Sequence, residues 1–152
     1  MKLTSFAFKN GDRIPQRYSC DGENISPPLQ WVEVPREAKY LVLICEDFDA
    51  PKEVWDHWKI FNLPASTSFL IEGIKKLPAG TKLSKNSWGK EEYGEPCFPD
   101  KKHRYFFLLY ALDNFLELPN GASKVRIKQT MNNYILTTTE LIGIYARPWQ
   151  KD

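Results

Sequence analysis

The chain has few of the side chains that build metal sites and disulfide frameworks. Its 152 residues include two histidines and three cysteines, at positions 20, 45 and 97. An odd cysteine count without a CxxC pair argues against a zinc knuckle and against the disulfide framework of a small secreted protein. We therefore expect free thiols, that of Cys97 included, and a reducing, cytoplasmic compartment.

Long apolar stretches and charge excess are equally scarce. No stretch reaches membrane-spanning length, and residues 1–8 lack the apolar core of about 7–15 residues that a signal peptide needs. The formal net charge is +2, and lysines occur in pairs, as at Lys101 and Lys102, without a long basic run. We expect neither an integral membrane protein nor a nucleic-acid-binding protein.

Aromatic residues and prolines, in contrast, are abundant. The chain has 14% aromatic residues and 11 prolines, while its 42% hydrophobic and 26% charged residues are ordinary for a globular protein. Aromatic side chains suit half-buried strands, and prolines interrupt regular structure in loops. The composition predicts one mainly β domain over residues 1–152, with long proline-rich loops.

Local patterns place the regular elements along this domain. A loop is predicted over 14–34, where Pro15, Pro27 and Pro28 oppose regular structure. Helical spacing with Ser123 as N-cap predicts a helix over 124–133, with 134–136 as its extension or the approach to a last strand. The predicted strands are 4–8, Tyr40–Glu46, His57–Leu63, Arg104–Leu112 and Leu141–Tyr145.

The two histidines, His57 and His103, each stand at the start of a predicted buried strand. His57 follows an acidic turn at 47–51, and His103 follows a Gly/Pro loop at 93–99. If the two loops meet, their polar groups form a small anion pocket near neutral pH. Taken alone, each histidine is equally an ordinary core residue with satisfied hydrogen bonds.

Two aspartates follow the most apolar predicted strand. Side-chain alternation predicts that Asp47 and Asp49 share a face with Leu41, Leu43 and Cys45, provided that the extended backbone continues to the next proline. Two carboxylates would then end an apolar row. The simpler alternative is that both aspartates cap their own turn through backbone hydrogen bonds.

A series of motifs in this order resembles the phosphatidylethanolamine-binding protein family, also called Raf kinase inhibitor-like proteins. The resemblance spans nearly the whole chain, and the compact length is similar to the bacterial and archaeal YbhB/YbcL-type branch. It implies a central β-sandwich of antiparallel and mixed strands with one or two peripheral helices. The motifs are 21–31 (DGENISPPLQW), 47–51 (DFDAP), His57-Trp58, Ser87-Trp88-Gly89, 93–99 (YGEPCFP), His103-Arg104-Tyr105 and Ile142-Gly143-Ile144-Tyr145.

The resemblance implies a small anion site at the two histidine segments. A carboxylate and two imidazoles would line this site, two aromatic rings would wall it, and residues 94–99 would form its rim. No catalytic residue, cofactor or metal is implied. The candidate ligand-binding residues are Asp47, Asp49, Trp55, His57, Gly94, Pro96, His103 and Tyr105.

Three departures from the family pattern involve four residues. Phe48 stands where the first signature has proline, and Phe98 replaces the first residue of a Pro-Pro pair. Lys101 and Lys102 stand where glycine commonly precedes the histidine. We expect a less stiff acidic turn, a narrower rim and added positive charge that attracts anions.

The charge of a phosphomonoester, about −1.5 to −2 near pH 7, explains why histidines accompany the carboxylate. An ionised Asp47 alone would repel this group. A neighbouring carboxylate favours imidazolium, which donates from both ring nitrogens, so His57 and His103 would hold the phosphate. A head group such as phosphoethanolamine, which carries both signs, suits such a site, and affinity should fall as pH rises through the histidine pKa.

Three functions follow from these residues. The first is a non-catalytic binding protein for a small phosphorylated or other anionic group, which by resemblance modulates a kinase or protease partner. Whether the protein is a monomer or a homodimer is left open by the sequence. The second is a hydrolase that uses the Asp and His residues as acid and base, with or without a metal. The third is a protein that acts through its surface alone, as a protease inhibitor or a dimeric scaffold.

Overall fold

The computed structural model describes residues 1–98 and 101–149, so Pro99 of the predicted rim lies outside the described residues. One α-helix, α1 (Lys124–Met131), and two short 3-10 turns, Gln16–Tyr18 and Asn132–Tyr134, accompany the strands of the described part. The strands are β1 (Lys2–Thr4), β2 (Leu29–Val32), β3 (Tyr40–Asp47), β4 (Trp55–Pro64), β5 (Phe69–Leu70), β6 (Lys82–Leu83), β7 (His103–Leu112) and β8 (Ile135–Tyr145).

The strands form two antiparallel sheets that pack face to face. The larger sheet has the order β6-β4-β3-β7-β8 and the smaller one β1-β2-β5. Central strand β3 is apolar on both faces, as its continuous apolar run predicts. Leu41, Leu43 and Cys45 point into the core between the sheets, while Val42 and Ile44 point to the other face. The mainly β fold is therefore confirmed.

Helix α1 covers the outer face of the larger sheet and is anchored there by buried charges. Lys124 Nζ lies 2.7 Å from Asp56 Oδ1 and 3.4 Å from Glu46 Oε2, and Lys128 Nζ lies 3.4 Å from Glu46 Oε1. Lys59 Nζ adds a contact of 3.1 Å to Asp56 Oδ2. Because Glu46 and Asp56 are buried, these lysines supply the charge that burial of two carboxylates requires.

Several predicted boundaries are corrected by the tertiary structure. The opening strand spans only Lys2–Thr4, and Phe6 beyond it is exposed. The predicted loop at 14–34 contains β2, because Leu29 and Trp31 pair with neighbouring strands and fill the core. Ser123 caps the helix by accepting from the Arg126 N–H, as predicted. The helix ends at Met131, and residues 135 and 136 belong to β8.

Candidate functional site

Adjacent strands β3 and β7 bring Asp47 and His103 into contact. Asp47 is paired across the ladder with Tyr105, two residues after His103 and on the same face of β7. The Nδ1 atom of His103 lies 2.5 Å from Oδ2 of Asp47, so a hydrogen bond joins the imidazole to the carboxyl group. The other oxygen, Oδ1, accepts the Asp49 N–H at 2.9 Å. Asp47 therefore caps its turn and also orients an imidazole.

His57 enters the same region from β4 through a β-bulge. Cys45 pairs with Trp58 and Glu46 pairs with Asp56, which leaves His57 as the extra, unpaired residue of β4. A bulge of this kind redirects a side chain and frees its backbone from the ladder. His57 is thus the third residue of its strand, and the prediction that it opens the strand is wrong.

The backbone of Gly94 forms hydrogen bonds with both the backbone and the side chain of His57. The Gly94 N–H donates to the His57 carbonyl at 2.7 Å, and the Gly94 carbonyl lies 2.6 Å from His57 Nδ1. Because a carbonyl only accepts, Nδ1 carries the proton and the second nitrogen, Nε2, carries a lone pair in the neutral ring. Any Cβ at position 94 would overlap the Trp88 ring, which explains why glycine stands there.

Aromatic rings enclose the two imidazoles. The Tyr105 ring centroid lies 5.0 Å from that of His57, edge to face. Phe98 stacks on His103 with centroids 4.9 Å apart and planes inclined by 17°. Trp88 meets His57 edge-on at 5.1 Å. The structure therefore brings the two histidine segments together. We call the surroundings of the two imidazoles, enclosed by the rings of Trp88, Phe98 and Tyr105, the chamber. Neither imidazole is more than 1% exposed there.

Trp55 completes this chamber, as the resemblance implied. Its ring lies 5.5 Å from Trp88 and 5.8 Å from Phe98. Trp88 itself was missed as a wall residue, although it stands in one of the matched motifs. Its position depends on a turn in which Asn86 Oδ1 accepts the Trp88 N–H and Ser87 pairs with the backbone of β4. The sequence alone gives no spacing signal for this contact.

Burial sets the protonation states in the chamber. Burial lowers the pKa of His57 from 6.5 to about 4, although the hydrogen bond to Gly94 opposes this. Burial also raises the pKa of Asp47, and its hydrogen bond with His103 acts in the opposite direction. His57 is therefore a neutral imidazole at pH 7. The prediction that both imidazoles are cationic is wrong for His57.

Two buried polar atoms of the residues around this chamber have no hydrogen-bond partner among the described residues. They are Nε2 of His57 and the indole Nε1 of Trp55. Each orphaned group costs about 1–3 kcal/mol relative to a satisfied one. The imidazole nitrogen is an acceptor and the indole N–H is a donor. Both side chains border the same two rings, Trp88 and Phe98.

The carboxylate of Asp49 lies apart from that of Asp47. Strand β3 ends at Asp47, so the predicted shared face does not extend to Asp49. Its carboxylate accepts from Arg104 Nε at 2.9 Å and from the Arg104 backbone N–H at 2.9 Å. The Arg104 hydrogen bond lowers the pKa of Asp49. Because Arg104 follows His103 on the strand, the two side chains point to opposite faces.

The rim loop is fixed by a disulfide between Cys20 and Cys97, with Cα atoms 5.5 Å apart. The Cys20 N–H also donates to the carbonyl of the buried Pro96 at 3.3 Å. The prediction of a free Cys97 thiol is therefore wrong. Two cysteines 77 residues apart pair because the fold brings their loops together. The odd number of cysteines in the sequence gave no indication of this pair. Cys45 is the free cysteine, and burial raises the pKa of its thiol.

Residues 1–98 and 101–149 contain no group of three or more His, Cys, Asp or Glu side chains placed to hold a metal ion. Within the same ranges, no helix has both the length and the apolar character needed to span a bilayer.

Comparison with known proteins places the chain among relatives of similar length. The sequence model described as phosphatidylethanolamine-binding protein matches residues 4–146. A UPF0098 protein from Methanothermobacter thermautotrophicus is 50% identical over 150 residues, which cover 97% of the chain and 99% of the relative. A Chlamydia trachomatis crystal structure, described as a homolog of phosphatidylethanolamine-binding protein, has a TM-score of 0.91 and 44% identity, covering 96% and 97% of the two chains. Escherichia coli YbcL, described as a member of the mammalian family, has a TM-score of 0.87 and 29% identity, covering 95% and 96%.

Proposed function

Because the chain belongs to the bacterial and archaeal branch of the phosphatidylethanolamine-binding protein family, we propose that it is a non-catalytic binding protein for a small phosphorylated group. The binding site is the aromatic chamber around His57 and His103. The observation that carries this proposal is the pair of buried, unpartnered atoms, His57 Nε2 and Trp55 Nε1. A ligand that pairs with both atoms recovers the free energy that their burial costs.

The protonation state of His57 specifies which form of phosphate fits. Neutral His57 offers a lone pair at Nε2, and Trp55 offers an N–H. A phosphomonoester monoanion matches both, because its P–OH donates to His57 while a second oxygen accepts from Trp55. Asp47 holds the His103 ring in place through Nδ1. A dianion requires instead that His57 take up a proton on binding.

The same argument gives the pH dependence of binding. A phosphomonoester loses its second proton near pH 6. Either route therefore adds one proton to the complex relative to the free dianion, and affinity falls as pH rises above that value. We expect a decrease of about tenfold per pH unit between pH 7 and 8. The direction agrees with the prediction from the sequence, but the proton comes with the ligand and not from a cationic His57.

Titration with inorganic phosphate and phosphoethanolamine tests the proposal. Isothermal titration calorimetry at pH 6, 7 and 8 should show binding that weakens with pH. Trp55→Phe keeps the ring but removes the indole N–H, so it should bind more weakly, while His57→Gln should bind least. Circular dichroism checks that both variants are folded. Equal affinity of Trp55→Phe and wild type would show that the anion binds elsewhere.

A hydrolase remains the second candidate because of the Asp47–His103 contact. A buried carboxylate that orients an imidazole is the arrangement used in general acid–base catalysis. Cys97 offers no thiolate nucleophile, since it is held in the disulfide. A hydrolase would therefore need an activated water. Turnover of p-nitrophenyl phosphate that disappears in Asp47→Asn and His103→Gln would favour this candidate over simple binding.

The remaining assignments are proposals from the family resemblance. Inhibition assays test for a kinase or protease partner, and light scattering tests for a homodimer. We propose that residues 1–152 form one domain. The predicted cytoplasmic location loses the support of the cysteine count, since disulfides persist mainly in oxidising compartments or in intracellular proteins of hyperthermophiles. Thiol trapping in intact cells tests it.

A further inference from the structure

The Phe98 ring blocks access to the two imidazoles. It lies flat on His103 and 6.4 Å from His57, between these residues and the apolar cavity beside the 50–53 turn. Both imidazoles are at most 1% exposed. A phosphate group therefore reaches Nε2 of His57 only after one of the enclosing rings moves.

Phe98 is the ring best placed to move. Tyr105 is fully buried in central strand β7, and Trp55 belongs to β4. Trp88 is packed against the backbone of Gly94. Phe98 lies on a loop outside the sheet, as the 44% exposed Trp88 also does, but the Phe98 ring borders the apolar cavity beside the 50–53 turn and the Trp88 ring does not. Rotation of its side chain disturbs no strand pairing.

A cavity next to Phe98 has room for the displaced ring. Its volume is about 250 Å³, and an apolar cavity of about 150 Å³ is enough to hold a benzene molecule. The cavity is half open to solvent, but apolar side chains provide most of its wall, so a phenyl ring keeps apolar contacts there. The lining residues are Ala50, Pro51, Lys52, Glu53, Trp55 and Phe98 itself.

The backbone on the N-terminal side of Phe98 is anchored, which confines the movement to the side chain. Cys97 is bonded to Cys20, and the Pro96 carbonyl accepts the Cys20 N–H. Gly94 is held by two hydrogen bonds to His57. Opening by withdrawal of the 94–97 segment would break all of these contacts, whereas rotation of one phenyl ring breaks none.

We propose that Phe98 is the gate of the anion site, and that its ring rotates from the face of His103 into the adjoining cavity when an anion enters. This inference rests on the proposed function. Each binding event then separates a stacked aromatic pair. Because this separation costs the free energy of the stacking contact, the affinity for the anion is lowered by about two- to tenfold. Phe98 thus determines how readily, and for ligands of what size, the site opens.

Two measurements test the gate. The first is phosphate affinity and association rate for wild type, Phe98→Ala and Phe48→Ala. Phe48 is the matched control, because its ring packs edge-on against Phe106 outside the chamber. The second is acylation of the histidines by diethyl pyrocarbonate, mapped by mass spectrometry, which reports access to unprotonated imidazole without any anion. Phe98→Ala should bind phosphate about two- to tenfold more tightly and react faster at His57, while Phe48→Ala should match wild type.

The outcomes separate the gate from the anion site. Unchanged affinity and unchanged acylation in Phe98→Ala would overturn the gate and leave the anion site intact. Faster acylation of Phe98→Ala without phosphate binding in any variant would support the gate and refute the proposed function. Faster acylation in both Phe98→Ala and Phe48→Ala would indicate general loosening of the fold, which also overturns the gate.

Discussion

Reduction of the Cys20–Cys97 disulfide should lower the free energy of unfolding by several kcal/mol. The bond joins residues 77 apart in sequence. In the chain-entropy model, closing a loop of that length in the unfolded state contributes about 4.5 kcal/mol at 25 °C. A protein of this size loses about 2–4 °C of Tm per kcal/mol. We therefore expect the reduced protein to melt about 9–18 °C below the oxidised protein.

Urea unfolding followed by tryptophan fluorescence measures this difference directly. Oxidised wild type should unfold at a higher urea concentration than wild type in dithiothreitol. The Cys20→Ser/Cys97→Ser variant serves as the control, because it should resemble reduced wild type and respond to no reductant. Cys45 remains in both proteins, so effects on its buried thiol cancel.

Two results would refute this reasoning. Alkylation of the oxidised protein in denaturant should label one cysteine, and labelling of three would show that the bond does not form. If one cysteine is labelled but the two unfolding curves coincide, the bond forms without stabilising the fold. In that case the loops around Cys20 and Cys97 would be held close in the unfolded chain as well.

Three further predictions concern residues around the site and the helix. His57 has a pKa of about 4 in the folded protein and takes up a proton below about pH 6.5 in the unfolded chain. Because the unfolded state then binds more protons, the free energy of unfolding should fall by about 3 kcal/mol from pH 7 to 4. Urea unfolding of His57→Gln should lack this component. Lys124→Met leaves two buried carboxylates short of a cation and should cost about 2 kcal/mol, whereas Lys128→Met, at a more exposed lysine, should cost under about 1 kcal/mol in the same thermal-unfolding assay. Gly94→Ala should displace the Trp88 ring and cost about 1–3 kcal/mol, and an unchanged Tm and fluorescence spectrum would contradict it.

Local pattern predicted β3, β4 and β7 well, because each side chain's environment there follows from its neighbours. It found only the C-terminal half of β8, which begins at Ile135 and not at Leu141. The apolar run at 40–46 needed covering on both faces, and it became the central strand between the core and α1. The same holds for β7 and for the capped start of the helix at Ser123. Short strands were missed, since β2 has four residues among prolines and pairs with segments far away in sequence.

Motif order also predicted which candidate site residues come together. Asp47, Trp55, His57, His103 and Tyr105 all border one chamber. Their role in holding a ligand stays a prediction. Asp49 does not join this group, because the strand ends before it and Arg104 offers a bidentate partner on the other face.

The amino-acid sequence by itself determined the β-rich class, the long buried strands and the set of polar residues at their ends, because these depend on side-chain periodicity over a few residues. Only the tertiary structure decided that His57 occupies a bulge, that Cys20 meets Cys97 and that Phe98 covers His103. Each of these contacts joins segments remote in sequence. Their geometry is set by strand register and loop packing, which no local pattern encodes.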